Sequence, residues 1–114
     1  MPRLIHLEFA GTDGERLRSF YAALFGAEFA PDEGCAYWRT PLMSADAATI
    51  GIRHEPDGCS EVIAYFAVPD VDAAFARAQE LGGGIRVPLL DNGDMRFCVV
   101  TDPLGNPVGL IQQA

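Results

Sequence analysis

Two stretches decide the fold: His6-Leu7-Glu8-Phe9-Ala10-Gly11-Thr12-Asp13 and, 57 residues on, Ile63-Ala64-Tyr65-Phe66-Ala67-Val68-Pro69-Asp70. Each begins with alternating strand-forming residues and ends at a helix start, Thr12-Asp13 in the first and Asp70 in the second. The same displacement aligns Phe9 with Phe66, Ala10 with Ala67, Asp13 with Asp70, Leu24 with Leu81, Gly26 with Gly83 and Arg39 with Arg96. The identities are few, and the matching order of structural signals carries the repeat.

Working outward, each half opens with a strand, Arg3 to Ala10 and Glu61 to Val68. Thr12-Asp13-Gly14-Glu15 has the form of a capping box, with Thr12 as the acceptor, and Asp70 is the matching N-cap in the second half. Leu17, Phe20, Tyr21 and Leu24 then form one helical stripe, as do Val71, Ala74, Phe75, Ala78 and Leu81. Both helices run into glycine, at Gly26 and at Gly82-Gly83-Gly84, where a left-handed cap is easiest. Three short strands are expected after each helix. They are Ala27 to Phe29, Cys35 to Thr40 and Ala48 to His54, then Ile85 to Val87, Met95 to Thr101 and Val108 to Gln112. Asp91-Asn92-Gly93 marks a turn between two of them. The expected fold is α+β, two tandem βαβββ modules over residues 1–57 and 58–114, whose helix-free faces form a curved cup. Half a chain is too small to hold a core alone, so modules must pair, within the chain or across a dimer.

Composition limits the function. At 114 residues with 49% apolar and 21% charged side chains, the chain has the makings of one globular domain. Eight basic against 16 acidic residues give a formal charge of −8, with no lysine, so nucleic acid and anionic membranes are poor partners. No apolar run is long enough to span a bilayer and the N-terminus lacks a signal-peptide pattern, so a soluble, cytoplasmic protein is expected. Cys35, Cys59 and Cys98 form no CxxC pair. Cys98 lies in an apolar run and is expected to be buried, while Cys35 and Cys59 are expected to be free thiols in a reducing compartment.

The repeat order, together with Ser19-Phe20-Tyr21-Ala22-Ala23-Leu24-Phe25-Gly26, Val68-Pro69-Asp70-Val71-Asp72-Ala73-Ala74 and Thr101-Asp102-Pro103-Leu104-Gly105-Asn106-Pro107-Val108-Gly109-Leu110, resembles the vicinal oxygen chelate superfamily. That superfamily includes glyoxalases, extradiol dioxygenases, fosfomycin-resistance enzymes and bleomycin-binding proteins, and the resemblance spans the whole chain. It implies the glyoxalase/bleomycin resistance/dihydroxybiphenyl dioxygenase fold and a homodimer. It leaves function open between enzymes and binders.

In metal-dependent members, the resemblance implies ligands on the first and last strands of each module. His6 matches the first-strand ligand, with Glu8 facing the same way. Ile63 stands where the second module would carry histidine, and Gly109 where a glutamate follows the Asp-Pro-x-Gly-Asn turn. Moving Gly109 back by 57 gives Ile52, so the four positions are His6, Ile52, Ile63 and Gly109. With one ligand of four, and about three needed at a catalytic transition-metal site, no cofactor is expected. A divalent metal requires a displaced site on His6, Glu8 and His54.

Without metal, His6 is a pocket residue or, with Glu8 beside it, a general base. Trp38, Tyr37, Met43 and Tyr65 are candidates for an aromatic wall, Tyr65 foremost because it shares the face of Ile63. The expected ligand-binding set is thus His6, Glu8, Trp38, Ile52, Ile63, Tyr65 and Gly109. Gly82-Gly83-Gly84 follows a helix and so does not cradle phosphate, Asp91-Asn92-Gly93-Asp94 lacks calcium-loop spacing, and no serine sits in a nucleophile elbow.

The leading expectation is a metal-independent protein that binds a small organic molecule in the cup between its modules. The alternatives are a metal-dependent glyoxalase-like lyase, isomerase or dioxygenase with a displaced site at His6, and a scaffold subunit with a vestigial cup.

Overall fold

The computed structural model describes residues 1–32 and 36–113. Cys35, expected to be a free thiol opening a strand, lies outside the described residues. The element order is β1 (Arg3–Gly11), α1 (Gly14–Phe25), β2 (Ala30–Pro31), β3 (Tyr37–Arg39), β4 (Thr49–His54), β5 (Glu61–Val68), α2 (Val71–Glu80), β6 (Gly84–Asp91), β7 (Arg96–Thr101) and β8 (Pro107–Gln112). The chain is therefore α+β, with βαβββ occurring twice. No helix among the described residues is long and apolar enough to cross a membrane.

Two compact units divide the chain, His6–Val62 and Met1–Ile5 with Ile63–Ala114. In the first, the strands lie in the order β2-β3-β4-β1. β1 runs parallel to β4, pairing His6 with Thr49 and Glu8 with Gly51, and β3 runs antiparallel to β4. In the second unit the order is β5-β8-β7-β6, with β5 parallel to β8 and the remaining pairs antiparallel. Parallel strands need a crossover connection, and α1 and α2 lie on the connections from β1 to β4 and from β5 to β8.

The helices begin for the same reason. Asp13, not Thr12, caps α1, its Oδ1 accepting from Arg16 N at 3.1 Å, and Asp70 caps α2 by accepting from Ala73 N at 3.1 Å. The Asp13 carbonyl already accepts the first helical bond from Leu17 N, which leaves Thr12 outside. α1 ends at Gly26, in the left-handed region at φ 63°.

Two strand expectations are revised. Residues 27–29 form no strand, because Ala27 N donates back to Ala22 O and closes the helix, so β2 is only Ala30–Pro31. β6 runs well past Val87 to Asp91, with register shifts around Pro88, whose missing N–H an edge strand tolerates.

In the first unit, Phe9 stacks on Tyr21 at 4.2 Å and Tyr21 on Phe25 at 5.5 Å, so the odd residues of β1 face α1. In the second, Val68, Val71, Cys98 and Val100 form the core under α2, joined by Ala74, Phe75 and Ala78. Burial raises the Cys98 thiol above its ordinary pKa, which makes it an inert core residue, whereas Cys59 is exposed. On the helix-free face of this unit, Ile63, Tyr65 and Val99 pack with Val87 and Ile111.

Candidate functional site

Strand alternation builds the site. With Phe9 committed to the helix, His6 and Glu8 point to the opposite face of the first unit's sheet. The ladder brings Thr49, Gly51 and Arg53 of β4 and Tyr37 and Arg39 of β3 to that same face.

His6 is held at both ring nitrogens. Nδ1 lies 2.6 Å from Thr49 Oγ1 and Nε2 lies 2.7 Å from the Tyr37 hydroxyl. The Tyr37 hydroxyl also hydrogen-bonds the Glu8 carboxyl. While Glu8 is ionised it only accepts, so Tyr37 donates to it, His6 Nε2–H donates to Tyr37 and Thr49 donates to Nδ1. The imidazole is then neutral, which matches a pKa lowered to about 4 by burial first and the Arg39 charge second, Asp32 opposing. Arg39 lies 5.5 Å over the Tyr37 ring and pairs with Asp32 at 2.9 Å.

Glu8 is the buried charged residue of this face, at 4% exposure. Burial raises its pKa, and the neighbouring Arg53 offsets part of the rise. Arg53 faces three carboxylates: Glu8 at 2.9 Å, Glu55 at 3.1 Å and Glu61 at 3.0 Å. Only the contact to Glu61 is a well-aligned hydrogen bond. Glu8 Oε2 and Arg53 Nε have no aligned partner, so those two contacts are charge pairing without a directed N–H.

The fold separates the remaining expected residues. Ile52 is fully buried and pairs with Phe9, so it faces α1. Trp38 and His54 are also on the helix side, crowding Gly14, and His54 Nδ1 accepts from Gly14 N at 2.9 Å to anchor the start of α1. His6, Glu8 and His54 are therefore not brought together as a metal triad. Met43 is 80% exposed. Ile63, Tyr65 and Gly109 share the helix-free face of the second unit.

The register explains why Ile52 is misplaced. Glu8 pairs with Gly51 as Tyr65 pairs with Gly109, so the last strands are offset by 58 residues while the first strands are offset by 57. A one-residue slip moves a side chain to the other face. The counterpart of Gly109 is Gly51, and Arg39, opposite Gly51, corresponds to Val99 and not to Arg96.

Both glycines lie under a tyrosine. A Cβ on Gly51 would collide with the Tyr37 hydroxyl and His6 Nε2, and one on Gly109 would collide with the Tyr65 ring. A carboxylate ligand has no room at either place. Among the described residues no group of three or more His, Cys, Asp or Glu is gathered to hold a metal ion. With the imidazole nitrogens already engaged, the described residues do not fit a transition ion. The sequence reading lacked Thr49, Gly51 and Arg53 as site residues, and counting β4 by twos from Gly51 would have found them.

The family model of the glyoxalase-like domain matches residues 6–111. No curated protein matches the chain. Among solved structures, a glyoxalase/bleomycin resistance protein/dioxygenase superfamily member from Vibrio splendidus is similar at 18% identity and TM-score 0.70, over 99% of this chain and 100% of that one. Streptomyces coelicolor methylmalonyl-CoA epimerase in complex with 2-nitronate-propionyl-CoA gives 18% identity and TM-score 0.67, over 98% and 97%. The epimerase from Mycobacterium tuberculosis gives 16% and 0.66, over 98% and 88%. These likenesses show the fold. The chain belongs to the glyoxalase-like domain family.

Proposed function

We propose that this glyoxalase-like domain binds a small organic molecule without a transition metal, on the helix-free face of the first unit that carries His6, Tyr37 and Glu8. The observation that carries the reading is the Tyr37 hydroxyl seated over Gly51 and bonded to His6 Nε2 at 2.7 Å, in place of a ligand carboxylate. A ligand carbonyl takes the His6 Nε2–H in exchange for Tyr37, and the Tyr37 oxygen so released accepts from a ligand hydroxyl, beside the buried Glu8 carboxyl that holds the phenol. The likeness to epimerases solved with CoA esters supports a carbonyl-bearing ligand, and the charge of −8 favours the approach of cations over anions.

The test is metal content after incubation with nickel, zinc, manganese and iron(II) followed by desalting, together with a small-molecule screen. The expected result is sub-stoichiometric metal, with hits whose affinity drops about tenfold in Tyr37→Phe, the loss of one hydrogen bond to a neutral group. Near-stoichiometric metal lost on His6→Ala would replace this reading with the metal-dependent lyase or dioxygenase. The homodimer belongs to the same proposal, and a monomer mass independent of concentration in sedimentation would overturn it.

A further inference from the structure

The two helices cover their sheets unequally. Gly14 and Val71 open α1 and α2 at matching places, so Leu17 and Tyr21 of α1 correspond to Ala74 and Ala78 of α2. In the first unit the Tyr21 ring fills the space above Phe9. In the second, two methyl groups stand where a leucine and a tyrosine would, and a cleft of about 360 Å³ lies between α2 and strands β7 and β8. Its walls are Ala74, Ala78, Leu81, Val100, Val108 and Leu110.

The polar groups at its rim are already engaged. Arg77 pairs with Glu80 at 3.1 Å. The Asp102 carboxylate accepts from Leu104 N at 2.9 Å, Asn106 N at 3.0 Å and Asn106 Nδ2 at 2.7 Å. The Thr101 hydroxyl accepts from Gly84 N at 3.1 Å. The walls therefore offer a ligand dispersion and desolvation, and the charges around them are committed to the protein. An apolar cavity of roughly 150 Å³ is enough to take up benzene. A cleft at the small end of the ligand-pocket range suits one or two fused rings.

We propose that this cleft under α2 is a second binding site, separate from the His6 face, for an uncharged, flat, apolar molecule of one or two rings. Such a ligand occupies the volume that Leu17 and Tyr21 fill in the first unit.

The test uses the full chain with methyl groups labelled, titrated with indole as the uncharged probe and benzoate as the charged one. Indole is expected to shift the methyl signals of Ala74, Ala78, Val100 and Val108 saturably, and benzoate is expected to leave them in place. Ala78→Tyr, which restores the side chain of the first unit, should weaken indole at least tenfold while the melting temperature holds or rises. Should Ala78→Tyr fail to fold, Ala74→Leu takes its place with the same expectation. Four results would overturn the proposal. In the first three, indole leaves these methyls unmoved up to its solubility, benzoate binds as well as indole, or the filled variant binds indole unchanged. In the fourth, the methyl signals would shift with protein concentration in the absence of probe, which would give the cleft to a second copy of the chain.

Discussion

The helix-free faces of the two units share a backbone plan and differ in chemistry. In the first, the strand next to the last one presents His6 and Glu8, tied to Tyr37, Thr49 and Arg53. In the second, the corresponding strand presents Ile63 and Tyr65, packed with Val99, Val87 and Ile111. What both retain is a glycine on the last strand under a tyrosine, yet the tyrosines come from different strands, β3 in one and β5 in the other. A repeated fold thus keeps the close approach while changing the residue that supplies it. One face is a hydrogen-bonded polar network, which demands that every buried group find a partner, and the other, packed from Ile63, Val87, Val99 and Ile111, makes that demand chiefly at the Tyr65 hydroxyl.

The largest effect expected from this contrast is at the glycines. At Gly109 an added methyl meets ring carbons near the base of Tyr65, which cannot leave without moving the side chain, so Gly109→Ala should cost about 3 kcal/mol. At Gly51 the obstacle is the hydroxyl tip of Tyr37 and the edge of His6, so Gly51→Ala should cost about 1 kcal/mol and release the His6–Tyr37 bond. Urea denaturation of the two variants decides the matter, and equal or reversed costs would break the comparison.

A smaller effect is expected from pH, and only in the first unit. The His6 pKa is lowered from 6.5 to about 4, chiefly by burial, so the unfolded chain binds the proton more readily. The stability this histidine allows is complete above pH 6.5 and is lost as pH falls from 6.5 toward 4, on the order of 2 kcal/mol after solvent screening. Glu8, whose pKa is raised by burial, acts with the opposite sign and gains as pH falls. The difference between wild type and His6→Gln isolates the histidine. A melting-temperature profile with the same slope for both proteins from pH 6.5 to 4 would remove His6 from the account.

The smallest effect is a likeness. Asp13 and Asp70 each accept one backbone N–H at 3.1 Å, so Asp13→Ala and Asp70→Ala should each cost about 1 kcal/mol. Unequal losses in matched denaturation curves would show that one helix depends on its cap more than the other.

The tandem modules were legible because their signals are local. The Asp70 cap, the helical stripes around Leu17 and Ala74 and the opening strands depend on neighbours a few residues away, and the first cap falls on Asp13, one residue from the expected Thr12. Register depends on partners far along the chain. Sliding the sequence by 57 aligns β1 with β5 but misses β4 against β8 by one residue, and in a strand that one residue exchanges Gly51 for Ile52 and the polar face for the core. The same limit hid His54, whose partner is the backbone of Gly14, 40 residues away. His6 and Glu8 were accessible because both lie on one strand, two residues apart. Arg53 and Thr49 reach them only through the β1–β4 ladder.

The tyrosine over Gly109 also sets an order on change. A glutamate placed there alone meets a ring that occupies its volume, and trimming Tyr65 alone leaves a hole beside Val99. Each step is unfavourable by itself, and the pair together is less so than their sum, since the residues are in contact. Anyone who wishes to engineer a carboxylate into the second unit must therefore begin with a double substitution, and a search that accepts one change at a time will find that path closed.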